Sequence, residues 1–531
     1  MLVLSNISKR FPADERYLFK DISFTLNAGE CTAIIGANGS GKSTLIKIIM
    51  GLETPTTGSI TFQPAHLRIG YLSQGTLIDD EITVEQALFP QHQAIEQAEE
   101  HLQSIDLTDG DAYNDALEQL LYLTETLDEP AGHRARQELG LGNIALNTRV
   151  KILSGGQKTR LILARLIASN PQLLILDEPT NHLDVEALTW LETWLTTFKG
   201  GVLLVSHDRQ FLDRLAQRVI VLDTETDTVR TYAGNYSAYL EQQETELRKH
   251  AMLWKDQQIE IDRLKADVSR TMAKAVNREN ATVNDYQRGR AKKVAKNAQA
   301  KAHRLEKYLA SDEIVDKPAQ RWDINLDFTT THPVHGQALQ LKNLTVGYDH
   351  PILEGINLSI SGQERVALLG ANGSGKSTLI KTIVKEISPI SGLVIPSLSA
   401  KIGYLSQEQQ TLNLNHNPLQ TIQAIASLSE SQVRSFLHQF LFAGDDALRP
   451  IRLLSYGERT RLMLAQLIAS GANLLIMDEP LNHLDIASKE KFEQALVNYN
   501  GAILSAIHDR YFIERFASKV WSIKGTSIVE Q

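Results

Sequence analysis

Two octapeptides carry the residue types that bind phosphate. They are Gly36-Ala37-Asn38-Gly39-Ser40-Gly41-Lys42-Ser43 and Gly370-Ala371-Asn372-Gly373-Ser374-Gly375-Lys376-Ser377, continued by Thr44 and Thr378. Both fit the spacing G-x-x-x-x-G-K-[ST]. Glycines there let backbone N–H groups converge on phosphate oxygens, and the N-terminus of a following helix adds positive potential. The chemistry expected is nucleotide binding, with Lys42 and Lys376 on the β- and γ-phosphates and the Ser43 and Ser377 hydroxyls on Mg2+. A glycine-rich turn between a strand and a helix is the plain alternative. Two complete copies, with Thr32–Ile35 reading as a buried strand and Thr44–Ile49 as the start of a helix, weigh against it.

A second pair of carboxylates follows the same logic. Asp177-Glu178 and Asp478-Glu479 each close a run of four apolar residues. The aspartates suit the Mg2+ shell, and the glutamates stand where they could orient or deprotonate an attacking water. Such pairs are common at loop starts, so the reading depends on the phosphate loops beside them.

The elements that must position these residues come from an internal repeat. Residues 36–47 recur unchanged at 370–381, IGYLSQ at 69–74 recurs at 402–407, and LLILDEPTNHLD at 173–184 is echoed at 474–485. The offset falls from 333 to 301 between the last two blocks, so the first copy carries about 32 extra residues between Gln74 and Ser154. The expected organisation is a domain at 1–236 with an insertion near 91–140, a linker at 237–325, and a second domain at 338–531.

Further motifs make the pattern familiar. Leu153-Ser154-Gly155-Gly156-Gln157, about 20 residues before Asp177, resembles the signature motif of ABC-type ATPases. Gln74 resembles their Q-loop, Asp184 their D-loop and His207 their switch histidine; six elements keep the same order in both repeats, over about 430 residues. The resemblance implies an α/β fold: two ABC-type P-loop nucleotide-binding domains joined by a helical, coiled-coil-like hairpin. It implies ATP and Mg2+ as cofactors, catalytic roles for Glu178, Glu479, His207 and His508, and Gln74 and Gln407 joining Ser43, Asp177, Ser377 and Asp478 around the metal. In the family each signature caps the nucleotide of the opposite domain. Site one would therefore pair Lys42 and Glu178 with Ser455, Tyr456, Gly457 and Glu458, and site two would pair Lys376 and Glu479 with Ser154, Gly155, Gly156 and Gln157. Phe11 and Tyr348 are candidate adenine-stacking aromatics, with ordinary packing as the rival role. Tyr456 departs from the glycine usual in the signature, and its side chain is expected to crowd the phosphates, leaving site two the faster. Ile507, where the first repeat has Ser206, is a smaller departure.

The linker needs its own account. It holds one glycine, Gly289, and no proline before Pro318, and Leu240, Leu247, Trp254, Ile261, Val268 and Ala275 fall seven apart. A second helix carries Val294, Ala298, Ala302, Leu305 and Leu309, and the stretch Val276–Gly289 is expected to break the pattern between the two arms. A first arm of about 36 residues would reach roughly 50 Å. From Arg263 to Lys307 thirteen Lys and Arg face four Asp and Glu, a net +9. A charge run is usually a solvated helix face; near the tip of a hairpin on an acidic body, with Tyr286 able to stack, it favours contact with an RNA backbone.

Two nucleotide domains, a linker of about 80 residues and the wording DEPTNHLD and SHDRQFL resemble the ABC-F family, whose members act on the ribosome. That resemblance implies ATP-dependent closure in the tRNA exit site by a monomer that pairs its own two domains. It also implies a linker reaching large-subunit rRNA, the peptidyl-site tRNA and the peptidyl-transferase centre, with tip contacts at Asn277, Arg278, Asn280, Tyr286, Gln287, Arg288 and Arg290. The insertion near 91–140 resembles the family's arm; its Glu96, Glu99, Glu100, Asp106, Asp109 and Asp111 suit basic protein better than RNA, and a plain surface subdomain is equally open. Relief of stalled translation and protection against antibiotics are both roles within the family, and the modest linker length favours the first. The alternatives outside it are a duplicated ATPase subunit of a membrane importer, whose linker would be short, and a chromosome-associated ATPase, whose coiled coil would interrupt one domain.

Composition sets the frame. Across 531 residues, 54 Lys and Arg against 63 Asp and Glu leave −9, which excludes a uniformly basic nucleic-acid coat. The lone cysteine, Cys31, excludes an intramolecular disulfide. No apolar run approaches the roughly 18–20 residues of a membrane span, and the N-terminus is too briefly apolar for a signal peptide, so a cytoplasmic protein is expected. The −9 divides into +9 over residues 263–307 and −18 over the rest of the chain.

Overall fold

A computed structural model describes the chain except residues 12–16, 74–77, 106–109, 181–182, 184, 224–228, 281–284, 311–333, 407–411, 427, 443, 483, 498 and 508; at 110–111, 275–280, 285–295, 298 and 497 it describes the backbone alone. The two repeats cluster into one compact unit and the helical segment between them into another.

Each repeat forms a lobe with the same two sheets. In the first lobe the six strands run in the order Ile69–Leu72, Leu173–Asp177, Gly201–Val205, Cys31–Gly36, Arg218–Leu222 and Val229–Ala233. The first five are parallel and the last pairs antiparallel. The central strands are continuous apolar runs because helices cover both faces; Leu173, Leu174, Ile175 and Leu176 are all fully buried. A three-stranded antiparallel sheet, Phe19–Leu26, Leu2–Lys9 and Thr57–Phe62, packs its apolar face into the same core. The second lobe repeats both sheets, the larger in the order Ile402–Leu405, Leu474–Asp478, Ala502–Ala506, Arg365–Leu369, Lys519–Lys524 and Ser527–Glu530. In both lobes the phosphate-binding loop and the carboxylate pair leave the carboxyl ends of two parallel strands with one strand between them, Gly201–Val205 in the first lobe and Ala502–Ala506 in the second. That edge is where open α/β sheets bind ligands.

The extra residues of the first lobe fall where two helices, Gln91–Ser104 and Gly110–Glu125, pack against each other. The next helix, Glu129–Arg136, stands 301 residues before Glu430–Gln439 of the second lobe. The insertion therefore ends before Glu129, short of the 140 expected from the likeness to the family's arm.

The helical unit departs from expectation in one respect. Its first helix runs from Tyr236 to Asn280, 45 residues, and the second from Asp285 to Leu309. The stretch Val276–Gly289, expected to break the pattern, is helical up to Asn280 and again from Asp285. The apolar stripe ends there, but no proline and only Gly289 oppose helix, so backbone propensity carries the helix on. At 1.5 Å per residue the first helix spans roughly 67 Å. The arms fold back on each other, with Lys301 donating to Asp267 at 2.6 Å. The seam is narrow: Ile261 is buried, Trp254 and Val268 are half-buried and Leu247 is exposed.

Candidate functional site

The first phosphate-binding loop is held by glycine geometry. Gly39 and Gly41 have φ of 84° and 93°, and a Cβ on Gly41 would meet Leu18 at 2.8 Å. Gly36 needs its missing Cβ for a different reason: an added one would lie 2.6 Å from the Leu222 carbonyl oxygen. Gly41 caps the helix Lys42–Ile49, and the Lys42 ammonium folds back to donate to the carbonyls of Gly36 and Ala37 at 2.8 and 2.9 Å. The second loop repeats this, with Lys376 on Gly370 and Ala371 at 2.8 and 3.0 Å. The strand–loop–helix setting holds for both copies, with Thr44 and Thr378 in the first turns.

Asp177 ends its strand with Ser43 donating to it, and Asp478 receives the same bond from Ser377. In each aspartate one carboxylate oxygen, Oδ1, is buried without a hydrogen-bond partner, and so are the hydroxyls of Ser40 and Ser374. Burial raises both aspartates above the usual carboxylate range against the pull of Lys42 and Lys376. Unpartnered oxygen beside a hydroxyl, under a ring of backbone N–H groups, is the donor set of a hard cation with a phosphate. The residues therefore fit Mg2+ and a nucleotide.

Glu178 follows in the left-handed region, φ 54°, as Glu479 does at φ 50°. Non-glycine residues are held there only when their surroundings fix them; here the Glu178 N–H donates to Val205 at 2.8 Å and the Glu479 N–H to Ala506 at 3.0 Å. Burial pushes the Glu178 carboxyl up to about 8, opposed by Lys489 and Lys42. His207 lies 3.3 Å away, Nε2 to Oε1. Its own burial, then Lys42 and Lys489, push it down to about 3, so the imidazole is neutral. These two groups share a cavity of about 640 Å³ with Phe11, Asn38, Gly39, Gly41, Lys42, Ser43, Thr44 and Asp177.

The other wall of that cavity comes from the second lobe and includes Tyr456, Asn482 and Lys489, as well as Glu479, which was expected to serve site two. Asp485 accepts from the Asn38 N–H of the phosphate loop at 2.8 Å while capping its own helix through Ser488. Burial alone would raise the Asp485 carboxyl, but the N–H groups of Asn38 and Ser488 outweigh it and hold it low. Eight residues on, Glu493 takes a bidentate pair from Arg209, both bonds 3.0 Å, with the guanidinium 2% exposed. The mirror contact joins Arg510 to Glu192, a fully buried carboxylate that also receives Arg214 at 2.8 Å. Each member of one pair lies 301 residues from its counterpart in the other. The lobes thus meet through a pseudo-twofold pair of ion pairs, one on each switch segment.

The signature residues sit at helix starts. Ser154 and Ser455 cap the helices Gly155–Ala168 and Tyr456–Ala469, each completing a reciprocal capping box with Gln157 or Glu458. The first of these helices takes the glycines of its own signature, Gly155 and Gly156, into its first turn. Gly457 is buried, and a Cβ there would meet Ser488 Oγ at 2.8 Å. Gly155 faces open space. Phe11 lines the cavity at 42% exposure under the Lys9 ammonium, while Tyr348 is 63% exposed. Gln74, Gln407, Asp184 and His508 lie outside the described residues. So do the side chains of the expected tip contacts Asn277, Arg278, Asn280, Tyr286, Gln287, Arg288 and Arg290.

Sequence reasoning left Asp485 unnamed and missed Lys489 and the two arginine–glutamate pairs. Asp485 carried a signal as the repeat counterpart of Asp184, and so did the pairs, since all four of their residues recur at the repeat offset. Lys489 carried none, because a lone lysine on a helix resembles any solvated charge.

The profile of the family described as ABC transporter matches residues 19–181 and 353–482, and a second profile of the same description matches 222–328. The putative ATP-binding protein YdiF of Bacillus subtilis is 35% identical over 545 residues, spanning 100% of this chain and 81% of that protein. ABC transporter F family member 2 of Arabidopsis thaliana is 31% identical over 551 residues, spanning 99% and 77%. Among solved structures, an archaeal ribosome recycling factor crystallised with a ribosomal stalk protein superposes with a TM-score of 0.60 at 17% identity, over 97% of this chain and 87% of that one. That last likeness is one of fold.

Proposed function

The chain belongs to the ABC transporter family, in its F branch, and is an ATPase; from that premise we propose that it works as a ribosome-associated factor whose two lobes close on ATP and whose basic linker then acts on ribosomal RNA and peptidyl-tRNA. The observation that carries the first half is the cavity around Lys42, walled on one side by the first lobe and on the other by Tyr456 and Lys489 of the second. A site completed by both lobes makes nucleotide binding and lobe closure one event. The linker half is supported by charge, +9 between Arg263 and Lys307 on an otherwise acidic chain.

Within site one, the backbone of Gly39–Gly41 and the Lys42 ammonium bind and orient the phosphates, and Ser43 and Asp177, with Gln74, hold Mg2+. The bound metal would neutralise charge on the β- and γ-phosphate oxygens. Glu178 positions the attacking water and takes up its proton, a role suited to a carboxyl lifted toward neutrality. Neutral His207 offers a ring N–H toward the same space. Site two assigns Lys376, Ser377, Asp478, Gln407, Glu479 and His508 to the same work, with Ser154, Gly155 and Gly156 as its cap. Closure without turnover holds the protein on its target, and turnover releases it in the cytoplasm, where ribosomes are found.

The test is co-sedimentation. A Glu178→Gln/Glu479→Gln double variant, able to bind ATP but not to turn it over, should pellet with ribosomes in ATP and not in ADP. If it binds ATP and stays in the supernatant, the ribosome reading fails.

A further inference from the structure

The lobe interface treats the two sites differently at a residue on the helix that faces the first switch segment. Along the second-lobe helix Ile486–Val497 and the cap before it, Asp485, Lys489 and Glu493 are spaced four apart and share one face. Asp485 holds the phosphate loop and Glu493 holds Arg209. Between them Lys489, 12% exposed at its side chain, donates to the His207 backbone carbonyl at 3.0 Å and to Asp509 Oδ2 at 3.3 Å. Asp509 meanwhile caps the helix Arg510–Phe516 through its other oxygen. The ammonium is therefore a strut from the switch segment of the first lobe to that of the second. It also offsets the repulsion between two carboxylates, because Asp208 lies close enough to Asp509 for the two to oppose each other and Lys489 acts on Asp208 in the opposite sense.

The counterpart of Lys489 in the first lobe, 301 residues earlier, is Leu188, an apolar residue 4% exposed. No strut of this kind can form there, although the flanking Glu192–Arg510 pair is kept. We propose that Lys489 is a positioning residue for site one alone, fixing the His207 carbonyl to Asp509 so that the switch segment is set for hydrolysis only while the second lobe is docked. Turnover at site one is then read out directly by the other site's switch segment, and no reciprocal link runs back through Leu188. The inference rests on the two-site assignment proposed above and adds a one-way connection between the sites.

Single-turnover phosphate release separates the sites: the Glu479→Gln parent reports site one and the Glu178→Gln parent reports site two. Lys489→Met removes the charge and keeps the length. In the site-one parent it should slow release about tenfold, the loss expected of one buried charge-assisted hydrogen bond. Release is measured at saturating ATP, so that a change in affinity at the cavity Lys489 helps to wall does not enter the rate. In the site-two parent the rate should move by less than about twofold. Lys489→Arg, which can still donate to both acceptors, should recover most of the site-one rate; if the Met variant melts at the assay temperature, a tenfold fall in the Arg variant overturns the proposal on its own. Equal slowing in both parents, or no slowing in either, also overturns it. A site-one parent that binds ATP yet releases no phosphate even with Lys489 intact would overturn the two-site assignment together with this inference.

Discussion

At the scale of single residues the two sites differ by paired substitutions. In the first lobe Thr180 and Ser206 share a hydrogen bond at 3.2 Å, and Ser206 also receives the Asp208 N–H at 3.1 Å. Their counterparts are Leu481 and Ile507, both buried, so a polar contact is replaced on both sides by an apolar one. Replacing both partners is close to neutral, whereas replacing one strands a buried polar atom. Tyr456 stands where the first repeat has Gly155, lines the Lys42 cavity and is half-buried. Tyr456→Gly in the Glu479→Gln parent should raise single-turnover release at site one by roughly threefold or more, a barrier change under about 1 kcal/mol. An unchanged rate would mean the ring does not limit the site. The companion measurement compares the Glu178→Gln and Glu479→Gln parents directly: site two should be the faster, and equal rates would remove the case for inequality from Tyr456.

At the scale of elements, the helices Val185–Thr197 and Ile486–Val497 do what the sheets cannot: each carries a glutamate across to the other lobe's switch segment. Breaking a buried ion pair from one side leaves an uncompensated charge and costs about 3 kcal/mol. Arg209→Met should therefore lower the stability read by urea unfolding by about that amount, while Arg209→Met with Glu493→Leu should recover most of it. A double variant as unstable as the single one would show that the pair contributes through more than charge. The partly exposed Arg214 partner of Glu192 should matter less, since a half-exposed arginine is screened by water.

At the scale of the whole molecule, charge is segregated by unit. The nucleotide-binding lobes are acidic and the middle of the helical unit is basic, so bulk RNA is repelled by most of the surface and attracted by one segment. Among the described residues no helix is long and apolar enough to cross a membrane. Deleting 270–300 should abolish any effect on a translation assay while ATP binding by the lobes persists. Ribosome co-sedimentation of the intact double variant should also weaken steeply between about 50 and 200 mM salt. Salt-independent binding would place the main contact away from the basic segment.

Much of this was legible in the chain before it folded. The phosphate loops, the acidic pairs and the repeat are local: each needs a few residues at fixed spacing, and a strand–loop–helix unit positions its own glycines and lysine. The helical linker was equally plain, because helix periodicity and the absence of proline are properties of neighbouring residues. Where sequence reasoning ended the first arm early, it took the loss of the apolar stripe for the loss of helix, although backbone propensity does not need a packing partner. What no spacing could announce is the meeting of Lys489 with His207, of Arg209 with Glu493, and of Asp485 with the N–H of Asn38. These contacts join residues hundreds of positions apart, and their strength comes from burial between lobes, which only the folded chain creates. The sequence by itself determined which residues can hold and cleave a nucleotide; the tertiary structure decided that residues of both copies line one cavity and that a lysine spans the two lobes on one side, where its counterpart is Leu188.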